Sequence, residues 1–187
     1  PDWVIVQGDT TSAFCAGWAA FHRGIKVGHV EAGLRTGDLN SPFPEEANRS
    51  LLSRIATMHF APTRRSKSTL LLEGVKEANV RVTGNTVVDA LVLAMNLESQ
   101  QLRSERVYNV CPAAVEKKII LVTCHRRENF GDILEGICFL LRRLAQKYNQ
   151  YHWVFPVHLN PQVQVPVSRI LGDLSNFSLI GPTDYLT

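Results

Sequence analysis

Three segments place titratable side chains directly after short apolar runs: Val6-Gln7-Gly8-Asp9-Thr10-Thr11, Gly28-His29-Val30-Glu31-Ala32-Gly33 and Val122-Thr123-Cys124-His125-Arg126-Arg127-Glu128-Asn129. If each run is a strand of a parallel sheet, two carboxylates and an imidazole stand at strand carboxyl ends, where open α/β sheets bind their ligands. A carboxylate there can take a proton or stabilise developing positive charge, and an imidazole followed by two guanidiniums suits a phosphate or diphosphate. Each residue also has a plainer reading. Asp9 serves equally as an N-cap ahead of Thr10 and Thr11. His125, Arg126 and Arg127 also read as a solvated basic loop. Glu31 is harder to dismiss, because a buried carboxylate between an apolar strand and the small Ala32-Gly33 pair needs a partner or a ligand. Glu45 and Glu46 follow Pro44 in a helical first turn, and Glu45 has ion-pair spacing to Arg49, so helix electrostatics alone would account for them. His158, in Pro156-Val157-His158-Leu159-Asn160-Pro161, repeats the strand-end placement one unit later, whereas His22, His59 and His152 occur singly and take no assigned role.

The elements that must position these side chains follow from the apolar pattern. Short β-rich runs alternate with longer helical patterns throughout, the signature of stacked βα units around parallel sheets. Strands are expected at residues 3–7, 26–30, 58–61, 80–83, 118–123, 153–157 and 177–180. Helices are expected at 11–22, 44–55, 64–73, 86–97, 133–148 and 163–171, with Asn85 and Asp132 as N-caps and Pro44 as a first-turn proline. The rhythm breaks between about residues 98 and 116, a polar stretch that reads as a boundary. The expected architecture is α/β, with two doubly wound parallel layers, the first incomplete at its start and the second at its end, and ligand between them. The domains expected are residues 1–84 and residues 85–187, the latter opening with a connecting helix.

Composition narrows the function classes. The chain has 187 residues, 45% hydrophobic and 20% charged, which is ordinary globular usage and excludes a disordered tail, a collagen-like repeat or a coiled coil. Twenty Lys and Arg against seventeen Asp and Glu leave +3, too little to indicate nucleic acid. No apolar run approaches a membrane span and no signal peptide opens the chain, so the expected location is cytoplasmic. Cys15, Cys111, Cys124 and Cys138 form no Cys-x-x-Cys pair and sit in or beside apolar stretches, as buried free thiols of a reducing compartment would. Dinucleotide-binding, Walker, zincin and hydrolase-elbow motifs are all absent. The start at Pro1, one step before a strand, and the stop at Thr187 suggest a piece of a longer protein.

Six motifs in order carry a resemblance: Gln7-Gly8-Asp9-Thr10-Thr11, His29-Val30-Glu31-Ala32-Gly33-Leu34-Arg35-Thr36, Pro42-Phe43-Pro44-Glu45-Glu46-Ala47-Asn48-Arg49, Val82-Thr83-Gly84-Asn85-Thr86-Val87-Val88-Asp89, His125-Arg126-Arg127-Glu128-Asn129 and Pro156-Val157-His158-Leu159-Asn160-Pro161. Together they resemble the bacterial non-hydrolysing UDP-N-acetylglucosamine 2-epimerases over nearly the whole chain. The resemblance implies two Rossmann-like domains of the GT-B type, UDP-N-acetylglucosamine as substrate, inversion at sugar carbon 2 without NAD or metal, a role in bacterial surface polysaccharide precursor synthesis, and a homodimer. It implies that Asp9, Glu31 and His125 contact the nucleotide sugar, that Asp9, Glu31, Glu45 and His125 are catalytic, and that Arg49 supports them. Arg126 or Arg127 would serve a second, activating substrate molecule. Cys124 departs from the small residue usual before the His, and the family's first Gly-Thr-Arg-Pro-Glu loop and later Asp-Ser-Gly-Gly segment are missing, which makes this chain roughly the middle half.

The residue types suit that chemistry independently. The proton on carbon 2 of such a sugar is not acidic, but departure of UDP from carbon 1 creates positive charge that acidifies it. One carboxylate can stabilise that charge while another takes the proton, and either suits either role. A hydrolysing epimerase, a GT-B glycosyltransferase and a non-catalytic sugar-nucleotide binding module are the alternatives. The glycosyltransferase has less use for three acidic side chains around one ring, and retention of Asp9, Glu31, Glu45 and His125 argues against a binding module.

Overall fold

The computed structural model describes residues 1–97, 100–114, 117–124 and 130–185. The chain divides into two compact units, Pro1–Leu93 and Ala94–Thr187.

In the first unit β1 (Trp3–Gln7), β2 (Lys26–Val30), β3 (Met58–Ala61) and β4 (Val80–Val82) lie side by side in that order, all parallel. They alternate with α1 (Thr11–His22), α2 (Glu45–Ile55) and α3 (Arg64–Leu72). Thr10 and Thr63 cap α1 and α3 with their hydroxyls, accepting from the N–H groups of Ala13 and Ser66. Because side chains alternate along a strand, Val4, Val6 and Val27 share one face, where they pack with Ala13 and Ala20 of α1 and Leu52 of α2. Ala61 and Val80 continue that face and pack with Leu70 of α3 and with Ala32. The helices approach closely: a Cβ on Gly17 of α1 would lie 2.6 Å from Leu52 Cδ2. The loop after β2 is equally tight, since a Cβ on Gly33 (φ +90°) would lie within 3.0 Å of the Ser66 carbonyl group. The opposite face of the sheet stays open, with Trp3 and Ile5 41% and 59% exposed.

A further helix, α4 (Thr86–Leu97), runs across the division between the units. Asn85 caps it as expected, its Oδ1 accepting from Val87 N–H at 3.0 Å.

The second unit contains α5 (Gln100–Val110), a 3₁₀ turn at Pro112–Ala114, β5 (Ile119–Leu121), α6 (Asp132–Lys147), β6 (His152–Pro156), α7 (Pro161–Leu171) and β7 (Phe177–Ile180). The strands form a parallel sheet in the order β5-β6-β7. Trp153, Phe155 and Val157 pack on one face against Leu134, Cys138 and Ala145 of α6 and Val163, Val167, Ile170 and Leu171 of α7. Val154 points the other way and meets Cys111 and Ala114, with Val107 of α5 beside them. That second face is covered at β6 only: Ile119 and Leu121 of β5, in register with His152 and Val154, are 43% and 64% exposed.

The expected strands are all present, and three expectations are corrected. The polar stretch read as a boundary contains α5, because its Gln, Arg and Glu residues favour helix without forming the apolar stripe that periodicity detects. Asp132 does not cap α6: Gly131 occupies the cap position at φ 74°, and no side chain supplies a cap bond. All four cysteines are free, but only Cys111 and Cys138 are buried, while Cys124 is half-buried and Cys15 lies exposed on α1. Among the described residues no helix is long and apolar enough to cross a membrane.

Candidate active site

The carboxyl ends of β1 and β2 are neighbours because the strands pair in register from Trp3↔Lys26 to Gln7↔Val30. The pairing extends one step further, with Gly8 N–H donating to the Val30 carbonyl at 3.0 Å. Asp9 and Glu31 thus leave the sheet side by side. Glu31 has φ 67°, a left-handed conformation that a non-glycine residue adopts at a cost of about 1–3 kcal/mol and that clusters at functional sites. Its carboxylate lies over Gly8, whose absent Cβ would sit 3.5 Å from Glu31 Oε2. From the far edge of the sheet Asn85 Nδ2 donates to Glu31 Oε1 at 3.4 Å.

Asp9 is not the cap of α1, because Thr10 takes that position. Its carboxylate instead faces Arg49, with Nη1 3.5 Å from Oδ2, and its carbonyl accepts from Asn48 Nδ2 at 2.9 Å. Both partners come from α2. Arg49 also lies against Glu46, Nε to Oε2 at 2.9 Å, an ion-pair approach without the alignment of a hydrogen bond. Glu46 is 1% exposed, and its Oε1 accepts from the N–H groups of Thr36 and Gly37, each at 3.1 Å. A continuous polar chain thus runs from the loop after β2 through Glu46 and Arg49 to Asp9. The ion pair expected between Glu45 and Arg49 is replaced by this one, because Glu46 lies on the buried face of α2. Glu45 is the half-buried first residue of the helix.

Beneath this edge two histidines are buried side by side, His29 on β2 paired in register with His59 on β3. Burial lowers the His29 pKa and pushes that of His59 down to about 4, so both are neutral near pH 7. Neutral His29 donates from Nε2 to the Gly8 carbonyl at 2.8 Å, fixing the turn that carries Asp9. Arg35 binds both oxygens of Glu73 at 2.8 and 2.9 Å and donates to Ser53 Oγ at 2.8 Å, tying the loop after β2 to α2 and to the end of α3. Sequence reasoning read Glu46 only as an acidic residue of a helical first turn and gave no role to Asn48, His29 or Arg35. The one signal for the first two was polar side chains at helix positions that the apolar stripe assigns to the core.

The first unit therefore brings Asp9, Glu31 and Arg49 to one strand-end edge, together with Asn85. His125, Arg126 and Arg127 lie outside the described residues. His158 is exposed just beyond β6, where its Nδ1 accepts from Asn160 N–H at 3.1 Å; Asn160 in turn caps α7.

Comparison with known proteins places this arrangement. The family model for UDP-N-acetylglucosamine 2-epimerase matches residues 1–187. The UDP-N-acetylglucosamine 2-epimerase of Escherichia coli K12 is 50% identical over 188 residues, covering 100% of this chain and 50% of the relative. A crystal structure of UDP-GlcNAc 2-epimerase from Neisseria meningitidis bound to UDP-GlcNAc superposes with a TM-score of 0.92 at 45% identity, covering 100% of this chain and 50% of that one. The Methanocaldococcus jannaschii enzyme in complex with UDP-GlcNAc and UDP gives 0.75 at 32% identity, with 100% and 51% covered. The chain spans about half the length of the curated relatives it matches. Its two parallel-sheet units are Rossmann-like and of the GT-B type. Motifs, fold and similarity along the entire chain agree: it belongs to the UDP-N-acetylglucosamine 2-epimerase family.

Proposed function

We propose that the complete protein interconverts UDP-GlcNAc and UDP-ManNAc, supplying precursors of bacterial surface polysaccharide, and that it works in the cytoplasm as a homodimer. The reaction runs by elimination and readdition. One carboxylate takes the proton from carbon 2 as the bond from carbon 1 to the UDP oxygen breaks, giving a 2-acetamidoglucal and free UDP. Addition of a proton to the other face of carbon 2, with return of UDP to carbon 1, yields the epimer. Asp9 and Glu31 are the carboxylates at the ring, Glu45 is the third acidic candidate, and Arg49 holds Asp9 in place. His125 favours the departing diphosphate, and Arg126 and Arg127 are candidates for an activating second substrate molecule.

The observation that carries the reading is the pair of strand-end carboxylates. Asp9 is fixed by Arg49 and Asn48, and Glu31 is held in a strained backbone conformation one residue across the β1–β2 ladder. Positioned carboxylates of this kind contribute about 10²–10⁴-fold to proton transfer. The test is turnover in heavy water. The complete enzyme is expected to place deuterium at carbon 2 of both epimers, and Glu31→Gln to lose roughly 10³-fold in kcat with UDP affinity little changed. Epimerisation without label at carbon 2, or near-normal turnover of Glu31→Gln, would overturn the assignment.

A further inference from the structure

We propose that Asn85 is a positioning residue for the Glu31 carboxylate, an inference that rests on the proposed role of Glu31. The assignment begins with the orientation of the amide. Asn85 Oδ1 accepts from Val87 N–H at 3.0 Å, and the Asn85 carbonyl accepts from Val88 N–H at 3.0 Å. With its oxygen committed to the first turn of α4, the side chain presents its NH2 end to Glu31 Oε1, 3.4 Å away and 54 residues distant in sequence. A flipped amide would lose the cap and set oxygen against oxygen.

Two features hold this geometry. Gly84, at φ 82°, turns the chain off the end of β4 so that Asn85 returns toward the end of β2. Next to it, Thr86 Oγ1 accepts from Gln7 Nε2 at 3.2 Å, anchoring the start of α4 to the end of β1. Glu31 is thus bracketed from both sides, by Gly8 of the β1 turn and by Asn85 of the β4 turn. A donor fixed on one side of a carboxylate favours one orientation of it. Because Asn85 meets Glu31 at Oε1, Oε2 remains on the Gly8 side.

Capping and positioning are separable by substitution. Asp and Ser both cap helices as well as Asn does, so a purely structural Asn85 would tolerate either. Asn85→Asp keeps the cap but sets a carboxylate against Glu31, and Asn85→Ser keeps the cap but removes the donor. In the complete enzyme Asn85→Asp, which removes the donor and adds like-charge repulsion, is expected to lose roughly 10- to 100-fold in kcat, with KM and Tm little changed. Asn85→Ser is expected to lose less. Turnover of Asn85→Asp within about twofold of the parent would overturn the proposal.

A crystal structure of the complete enzyme carrying Asn85→Ser gives a second readout, independent of activity. Reorientation of the Glu31 carboxylate supports the positioning role, and an unmoved Glu31 counts against it. If the parent enzyme fails to epimerise, the functional reading falls while this structural result still decides whether Asn85 orients Glu31.

Discussion

The two units solve the same packing problem with different allocations of polar and apolar material. The second packs α6 and α7 on one face of its three-stranded sheet and the Cys111–Ala114 turn against β6 on the other, and its core gathers aromatic and aliphatic side chains from β6, α6 and α7. The first leaves one face of its four-stranded sheet open and places buried His29, Glu46, Asn48, Arg49, Ser53 and His59 among the residues its helices cover. Those groups are what fix Asp9 and the loop after β2. The contrast shows where precision comes from. Dispersion and the hydrophobic effect give the second unit stability without direction, whereas the first holds its strand-end carboxylates by hydrogen bonds whose geometry is specific.

Breaking the apolar unit should produce the largest effect on stability. Phe155 is fully buried between two helices, and Phe155→Ala is expected to cost about 4 kcal/mol through lost transfer energy and the cavity left behind. Hydrogen exchange should then show amides of β6, α6 and α7 opening while those of β1 and β2 keep their protection. Parallel loss in both units would mean that they fold as one and that the contrast has no energetic content.

Acid should have the opposite selectivity. His59 binds a proton at about 4 in the fold against an ordinary 6.5, and His29 is lowered as well, so the unfolded chain protonates first. The first unit is expected to keep its full stability above about pH 6.5, to weaken as pH falls toward 4, and to change little below that through these groups, with a loss on the order of 2 kcal/mol. Among the described residues of the second unit there is one such group, His152, whose pKa is lowered by burial and by Lys117. Denaturation followed unit by unit across this pH range measures the difference, and an equal loss in the second unit would contradict it.

The smallest effect is expected on the open face. Ile5→Thr replaces the ethyl branch of a side chain that is 59% exposed with a hydroxyl and keeps a β-branched residue in the strand, so stability should change by no more than about 0.5 kcal/mol. A loss above about 1.5 kcal/mol in the isolated chain would show this face to be covered in solution and would sharpen the contrast into one of partners.

Much of the framework was legible because strand and helix periods are local. Seven short apolar runs became seven parallel strands, and Asn85 read correctly as a cap because capping involves neighbouring residues. α5 was missed for the converse reason: a polar helix has no apolar stripe to betray it. The division of labour inside Pro44-Glu45-Glu46-Ala47-Asn48-Arg49 was also hidden. Spacing allowed Arg49 to pair with Glu45, yet the buried face of α2 selected Glu46, which the loop N–H groups of Thr36 and Gly37 stabilise.

By itself the sequence determined the order of βα units, the strand-end location of Asp9 and Glu31, and the family, since these depend on residue type and near-neighbour spacing. Only the tertiary structure decided which partners those carboxylates take: Arg49 and Asn48 for Asp9, Asn85 for Glu31, and buried neutral His29 under the turn between them. These pairings join residues 21 to 54 positions apart, and no local preference encodes them. They arise when parallel register brings separate strand ends to one edge and burial leaves each polar group a small choice of partners.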